Sequence, residues 1–308
     1  MNINTGNARL FRTLFSLFFL IIFLGQVTTA SAAVIYKVEG ENGSAYLVGA
    51  MHIGTENLYP LDPKLEEKLK TSRFLATEGA IGQDPEWGHS LAKLLKLSAN
   101  EHIEDFVSPV YFEKAKSILK NKGTYPAQVI DQFSRYYPFP TYQLVGDIVP
   151  ADNHLYLPGT EMYLGAIADR NNIPKVILED PADFVNAVKS FTLSEMDILM
   201  QSVISLFENK TLRDKNFSHS QKLAALTKQG DFANVKKIDE EFMIQNLSWT
   251  PGIFNKLTNQ RNLGMSKRII ELMKQGAPVF VVVGGSHIPG PEGIVNLLRL
   301  AGYTVTEE

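Results

Sequence analysis

Cysteine is absent from all 308 residues, which excludes disulfide staples, thiol catalysis and a lipid-modified cysteine at an export cleavage site. Stability must come from a buried core, and a chain of this length with 44% hydrophobic residues can build one. An excess of charge of either sign is missing too. The 33 acidic residues against 30 basic ones leave a net charge of -3, so the electrostatic footprint of a nucleic-acid binder is not there. The sequence has no Gly-x-Ser-x-Gly elbow and no His-Glu-x-x-His helix, which leaves Ser286 beside His287 a poor candidate nucleophile. Gly284-Gly285 and Gly290-x-x-Gly293 lack both a phosphate-loop lysine and the dinucleotide glycine spacing, so they read as backbone freedom around His287. Low-complexity tracts, heptad runs and short-period repeats are also wanting.

Long apolar runs are scarce as well, and the one near the start has a specific meaning. Arg9 and Arg12 form a basic stretch, Leu14 to Leu24 is apolar, and Ala30-Ser31-Ala32 fits a small-residue cleavage site. The run is shorter than the roughly 20 residues a spanning helix needs. Residues 1–32 are therefore expected to be a signal peptide cleaved after Ala32, with no membrane span in the mature chain and a periplasmic or secreted location; an uncleaved membrane anchor is the alternative reading. Residues 33–308 are expected to form a single domain; the oligomeric state is not legible.

What is present is a pattern that begins strand-rich, turns helix-rich and closes on strand, helix and strand. Val34 to Val38 and Ala45 to Gly49 predict a hairpin, with Asn42-Gly43 as its turn signal. Asp62-Pro63 predicts a helix start running to about Lys70, and Arg73 to Glu78 predicts a strand. Helices are expected around Glu86 to Leu97 and Ser108 to Lys120. The aromatic stretch from Phe133 to Tyr142 cannot be one continuous helix across Pro138 and Pro140, and reads as core or lid packing. Gly159-Thr160-Glu161 predicts a helix start with Thr160 as its cap, and Lys175 to Leu178 a short strand. Thr192 and Glu195 form a capping box before Met196, Leu199, Met200, Val203 and Leu206, one buried helical face. Helices continue to about Lys274. Val279 to Val283 predicts a buried strand, Pro291 to Leu300 the last helix, and Tyr303 to Thr306 an edge strand. The fold class is α/β (mixed α+β): a central mixed β-sheet covered by helices, with a helix-rich middle segment.

Two segments repeat one design: Ala45-Tyr-Leu-Val-Gly-Ala-Met-His52 and Val279-Phe-Val-Val-Val-Gly-Gly-Ser-His287. In each an apolar strand is followed by a glycine and then a histidine, which presents His52 and His287 at strand carboxyl ends. Ligands bind at that edge of open sheets, so the two can converge on one site. Glu78 ends another apolar strand, where a carboxylate needs a partner or an open face. Two imidazoles and one carboxylate can hold a divalent ion such as Mn²⁺, Co²⁺ or Zn²⁺ and leave a position for water. His52 and His287 are the candidate metal ligands, with Glu78 as third ligand or general base. Arg261 is a candidate electrophile for developing oxyanion charge, and Glu161 and Glu179 are further catalytic candidates. His89, His102, His154 and His219 lack the strand-end setting and read as solvated or structural.

These residues resemble a known family. Gly49-Ala-Met-His52 with Ile53-Gly54, the strand-borne Glu78, Gln260-Arg261-Asn262 with Met265, and Gly284-Gly-Ser-His287-Ile-Pro-Gly290 leading into Gly293 and Gly302-Tyr303 are similar to the TraB/GumN family. That family is related to Tiki-type metalloproteases and, more distantly, to erythromycin-esterase-like hydrolases and a haem-binding lipoprotein group. The resemblance implies a helix-covered mixed sheet and an exported metal-dependent hydrolase acting on peptide or protein substrates. Two other readings stay open: a metal-independent esterase-like hydrolase with a histidine base, and a non-catalytic binder of peptide or haem.

Overall fold

The structure is a computed structural model, and it describes residues 34–41, 43–79, 85–123, 125–276 and 278–308. Residues 1–32, expected to be a signal peptide, and the expected turn residue Asn42 lie outside them.

The chain opens with the hairpin β1 (Tyr36–Gly40) and β2 (Gly43–Ala50), paired antiparallel with Gly40 opposite Gly43. The two-residue strand β3 (Ile53–Gly54) follows, then helix α1 (Pro63–Lys70) and strand β4 (Phe74–Thr77). The Asp62 side chain caps α1 by accepting from Lys64 N, with Pro63 in the first turn, where its missing N–H costs nothing. Next come α2 (Pro85–Leu95), α3 (Pro109–Lys122), α4 (Ala127–Asp131) and α5 (Phe139–Asp147). The aromatic stretch breaks as Pro138 and Pro140 require: Tyr136 is extended and bridges Lys96, and α5 takes Pro140 in its first turn. Tyr137 and Phe139 are buried, so this stretch is core.

Strand β5 (Leu157–Pro158) pairs with β3, and α6 (Thr160–Arg170) leads to β6 (Lys175–Ile177). Thr160 is not the cap of α6. Gly159 occupies that position, and the Thr160 hydroxyl instead accepts from Met51 N, tying the helix start to the loop that carries His52. Then follow α7 (Pro181–Lys189), α8 (Leu193–Glu208), α9 (Lys210–Gln229), α10 (Phe232–Leu247), α11 (Pro251–Leu257) and α12 (Asn259–Met273). The Thr192–Glu195 capping box is formed in both directions. Strand β7 (Val279–Gly284), helix α13 (Ile294–Leu300) and strand β8 (Thr304–Glu307) close the chain. The last helix starts three residues later than Pro291 suggests, because residues up to Gly293 form a turn.

The main sheet has the order β6-β4-β7-β2-β1-β8. Strands β6, β4, β7 and β2 run parallel, while at the far side β1 pairs antiparallel with both β2 and β8, so the sheet is mixed and the fold is α/β. Strand β7 lies between β4 and β2 with Val279 to Val283 fully buried, the signature of a central parallel strand covered on both faces. Val279, Val281 and Val283 pack toward Phe232, Met265, Ile269, Ile294 and Leu298 from α10, α12 and α13. Phe280 and Val282 pack toward Leu65, Leu69, Leu164 and Ile167 from α1 and α6. A third cluster, built on Phe112, Tyr137, Phe184, Leu199 and Ile253, contains no strand of the main sheet and is the helix-rich middle segment. Among the described residues no helix is long and apolar enough to cross a membrane.

Candidate active site

The register of the parallel strands decides which side chains meet. Ala50 of β2 lies opposite Gly284 of β7, and Thr77 of β4 opposite Val282 of β7. His52, Glu78 and His287 therefore leave three adjacent strands at the same carboxyl edge. Leu178 N bonds to Thr77 O, which sets Glu179 just past β6 on the same edge. The sheet thus gathers four of the residues expected from sequence. The other two come from helices: Glu161 from the first turn of α6 and Arg261 from the first turn of α12.

Glu78 is buried and forms the centre. Its Oε1 accepts from Arg261 Nη2 at 2.7 Å and lies 3.3 Å from His287 Nε2. Its Oε2 accepts from Gly284 N at 3.0 Å and lies 3.8 Å from His52 Nε2. Burial alone would push this carboxyl up, but His287 and Arg261 outweigh it and hold the group well below its ordinary range. Glu78 is therefore a fixed anion.

Arg261 is almost wholly committed. Its Nε and Nη2 donate to the two oxygens of Glu179 at 2.5 and 2.8 Å, Nη2 also donates to Glu78, and Nη1 donates to Leu257 O at 2.7 Å. Four of the five donors of a guanidinium are thus in use. Its planar fork binds Glu179 bidentately and stacks over the Phe184 ring at 5.5 Å. Burial opposes its charge, yet Glu78 and Glu179 push its pKa further up. Burial in turn pushes the Glu179 carboxyl up against the pull of Arg261.

His52 and Glu161 form the second half. The His52 side chain is 64% exposed, whereas Glu161 is buried. Nδ1 lies 2.6 Å from Glu161 Oε1, so the two form a close ion pair when the ring is protonated. The Glu161 carboxylate, against the opposing effect of burial, lifts His52 from its ordinary 6.5 to about 9. Close backbone approach makes the pairing possible: a Cβ on Gly159 would overlap the carbonyls of Met51 and His52.

The paired glycines do different work. A Cβ on Gly49 would overlap the Phe232 ring, so that glycine serves packing. A Cβ on Gly284 would sit 3.2 Å from Glu78 Oε2, 3.3 Å from His287 Cδ2 and 3.5 Å from His52 Nε2. Gly284 thus keeps open a space among the three candidate ligands. That space, the two imidazoles and the Glu78 carboxylate suit a divalent cation. Among the described residues, however, the group whose ligand atoms all lie within 4.8 Å of one another is a different one: Asp152, His154 and Asp214. It is already neutralised. Arg213 binds Asp152 through two nitrogens, Lys210 binds Asp214, and the His154 ring stacks on Phe217.

One residue quoted for its sequence pattern without a role proves to be part of the site. Asn262 is fully buried beside Arg261 on α12, its Oδ1 2.6 Å from His287 Nδ1. Its neighbour position to an arginine was the only sequence signal. His219, read as structural, is indeed stacked on Phe242 beside Asp239.

No curated protein and no solved structure matches the chain. The description of the TraB/PrgY/gumN family does match, and it spans residues 34–307, from just ahead of β1 to the end of β8. With both Gly-x-x-His segments, Glu78 and the Arg261-Asn262 helix start inside that span, the chain belongs to the TraB/PrgY/gumN family.

Proposed function

We propose that this chain is an exported hydrolase whose reaction centre lies among His52, Glu78 and His287, with a divalent cation held there. The observation that carries the reading is the convergence of these three side chains at the ends of adjacent strands, around a space that a single Cβ at Gly284 would fill. His52, His287 and Glu78 would hold the ion. Bound in such a set, a divalent ion lowers the pKa of a water to about 7 and polarises a carbonyl. The rest of the chemistry belongs to the protein. Glu78, kept anionic by Arg261 and Gly284 N, supplies fixed negative charge and suits a ligand better than a proton-accepting base. Arg261, sharing its donors between Glu78 and Glu179, holds the two carboxylates in register and has little left for a substrate oxyanion. His52 is the exposed member and meets substrate first. Resemblance to Tiki-type proteases favours peptide bonds as the target.

The exposed His52 beside a buried carboxylate also favours a second reading, in which His52 acts directly as base on water. The two differ in pH behaviour. With a pKa of about 9, metal-free His52 is protonated at neutral pH and becomes a base only above it. The deciding experiment assays the mature protein on a peptide library before and after chelation, with Mn²⁺, Co²⁺ or Zn²⁺ added back. Loss of hydrolysis on chelation and its return with metal supports the first reading. Full activity after chelation, rising toward about pH 9, replaces it with the second. Hydrolysis unaffected in His52→Ala, Glu78→Ala and His287→Ala alike overturns both.

A further inference from the structure

His287 touches two acceptors, and one of them has no freedom to be anything else. Asn262 Nδ2 donates to Glu292 O at 2.7 Å and to His287 O at 3.5 Å, both carbonyls that can only accept. The amide is therefore oriented by the backbone, and Oδ1 must face the ring. A carbonyl oxygen 2.6 Å from Nδ1 requires the proton to be on Nδ1. The neutral ring then turns its Nε2 lone pair toward Glu78 Oε1, 3.3 Å away. Arg261 Nη2 already donates to that oxygen, so in the neutral ring it is Nε2 that is left without a partner, and a proton or a metal cation on Nε2 completes the contact. The loop that supplies Glu292 O is itself fixed, since a Cβ on Gly293 would overlap the carbonyls of Ile288 and Pro289.

We infer that Asn262 is a positioning residue that holds His287 in the Nδ1–H tautomer, so that Nε2 and Glu78 jointly present a socket for a cation. This deepens the hydrolase reading and rests on it for its purpose, though the tautomer can be measured without any catalysis. The test is long-range ¹H–¹⁵N correlation of the six histidines in chelated protein, at a pH where His287 is neutral, with His287 assigned by its loss in His287→Gln. The expected spectrum shows protonated Nδ1 and bare Nε2 for His287 in the wild type. A protonated Nε2 with bare Nδ1 overturns the inference outright, and this arm needs no variant at position 262. Asn262→Leu should lose the preference and weaken Mn²⁺ binding roughly 10–100-fold, while Asn262→Asp, which keeps an acceptor, should retain the Nδ1–H form. If folded Asn262→Leu keeps the wild-type tautomer, Asn262 is not its cause and the inference fails. A wild type with the expected tautomer but no metal binding removes the cation centre and leaves the tautomer standing.

Discussion

At the scale of single residues the site is two clusters of opposed charge that meet at Glu78. In one half a single guanidinium serves two buried carboxylates, so removing it leaves Glu78 and Glu179 uncompensated. Breaking a buried pair from one side costs about 3–5 kcal/mol. Arg261→Met should therefore destabilise the protein by roughly that amount, read by denaturant midpoint, and Arg261→Lys should recover little because a point charge cannot replace the fork. Adding Glu179→Gln to Arg261→Met should recover part of the loss, and strictly additive effects would mean that the pair is not coupled. The other half has a pH signature. His52 has a folded pKa of about 9, above its ordinary 6.5. Its contact with Glu161 thus contributes stability that is fully present below about pH 6.5 and fades as pH rises through about 9. Glu78 has the opposite sign, contributing stability above 4.5 that is lost as pH falls below it. Thermal melts of metal-free protein at about pH 6 and about pH 10 should show a larger fall in wild type than in Glu161→Gln. Equal falls would remove Glu161 as the partner of His52.

At the scale of elements the strands were the legible part, because the cue was strong and local. The unbroken run Val279 to Val283 can only be a strand buried on both faces, and the same holds for Leu47 to Ala50 entering the first Gly-x-x-His. The capping box at Thr192 and the proline start at Asp62-Pro63 were equally local. What local cues could not supply was register. That β7 lies between β4 and β2, and so brings Glu78 within reach of both histidines, depends on pairings across most of the chain. For the same reason the partners of Arg261 and Thr160 were not legible, since Glu179 and Met51 N are remote from them in sequence. The two motif glycines show the difference between role and pattern. Gly49→Ala drives a methyl into the Phe232 ring and should cost about 1–3 kcal/mol by overpacking. Gly284→Ala meets only side-chain atoms at 3.2 Å or more, so it should melt within a few degrees of wild type while losing metal binding and hydrolysis. Comparable melting losses in both variants would show that Gly284 is a packing glycine too.

At the scale of the whole molecule the candidate ligands come from opposite ends of the chain. His52 and Glu78 follow β2 and β4 near the start, and His287 follows β7 near the end, so the centre exists only when the parallel sheet is complete. The helical cluster built on Phe112, Tyr137 and Leu199 lies between these strands in sequence and contributes none of the three. A cation bound there has no counterpart site in the unfolded chain, and its binding energy should therefore appear in global unfolding rather than in the opening of one segment. By mass action, free ion at about a hundred times its dissociation constant stabilises the native state by about 2.7 kcal/mol. For a domain of this size that is a rise in Tm of roughly 5 °C or more. Differential scanning calorimetry of chelated mature protein, titrated with Mn²⁺, Co²⁺ or Zn²⁺, should show this rise as a single transition. His52→Ala and His287→Ala should each abolish it, although the residues are contributed by opposite ends of the chain. A rise that survives both substitutions would place the cation elsewhere, with Asp152, His154 and Asp214 the next cluster to substitute; no rise with any of the three ions would remove the cation from the site.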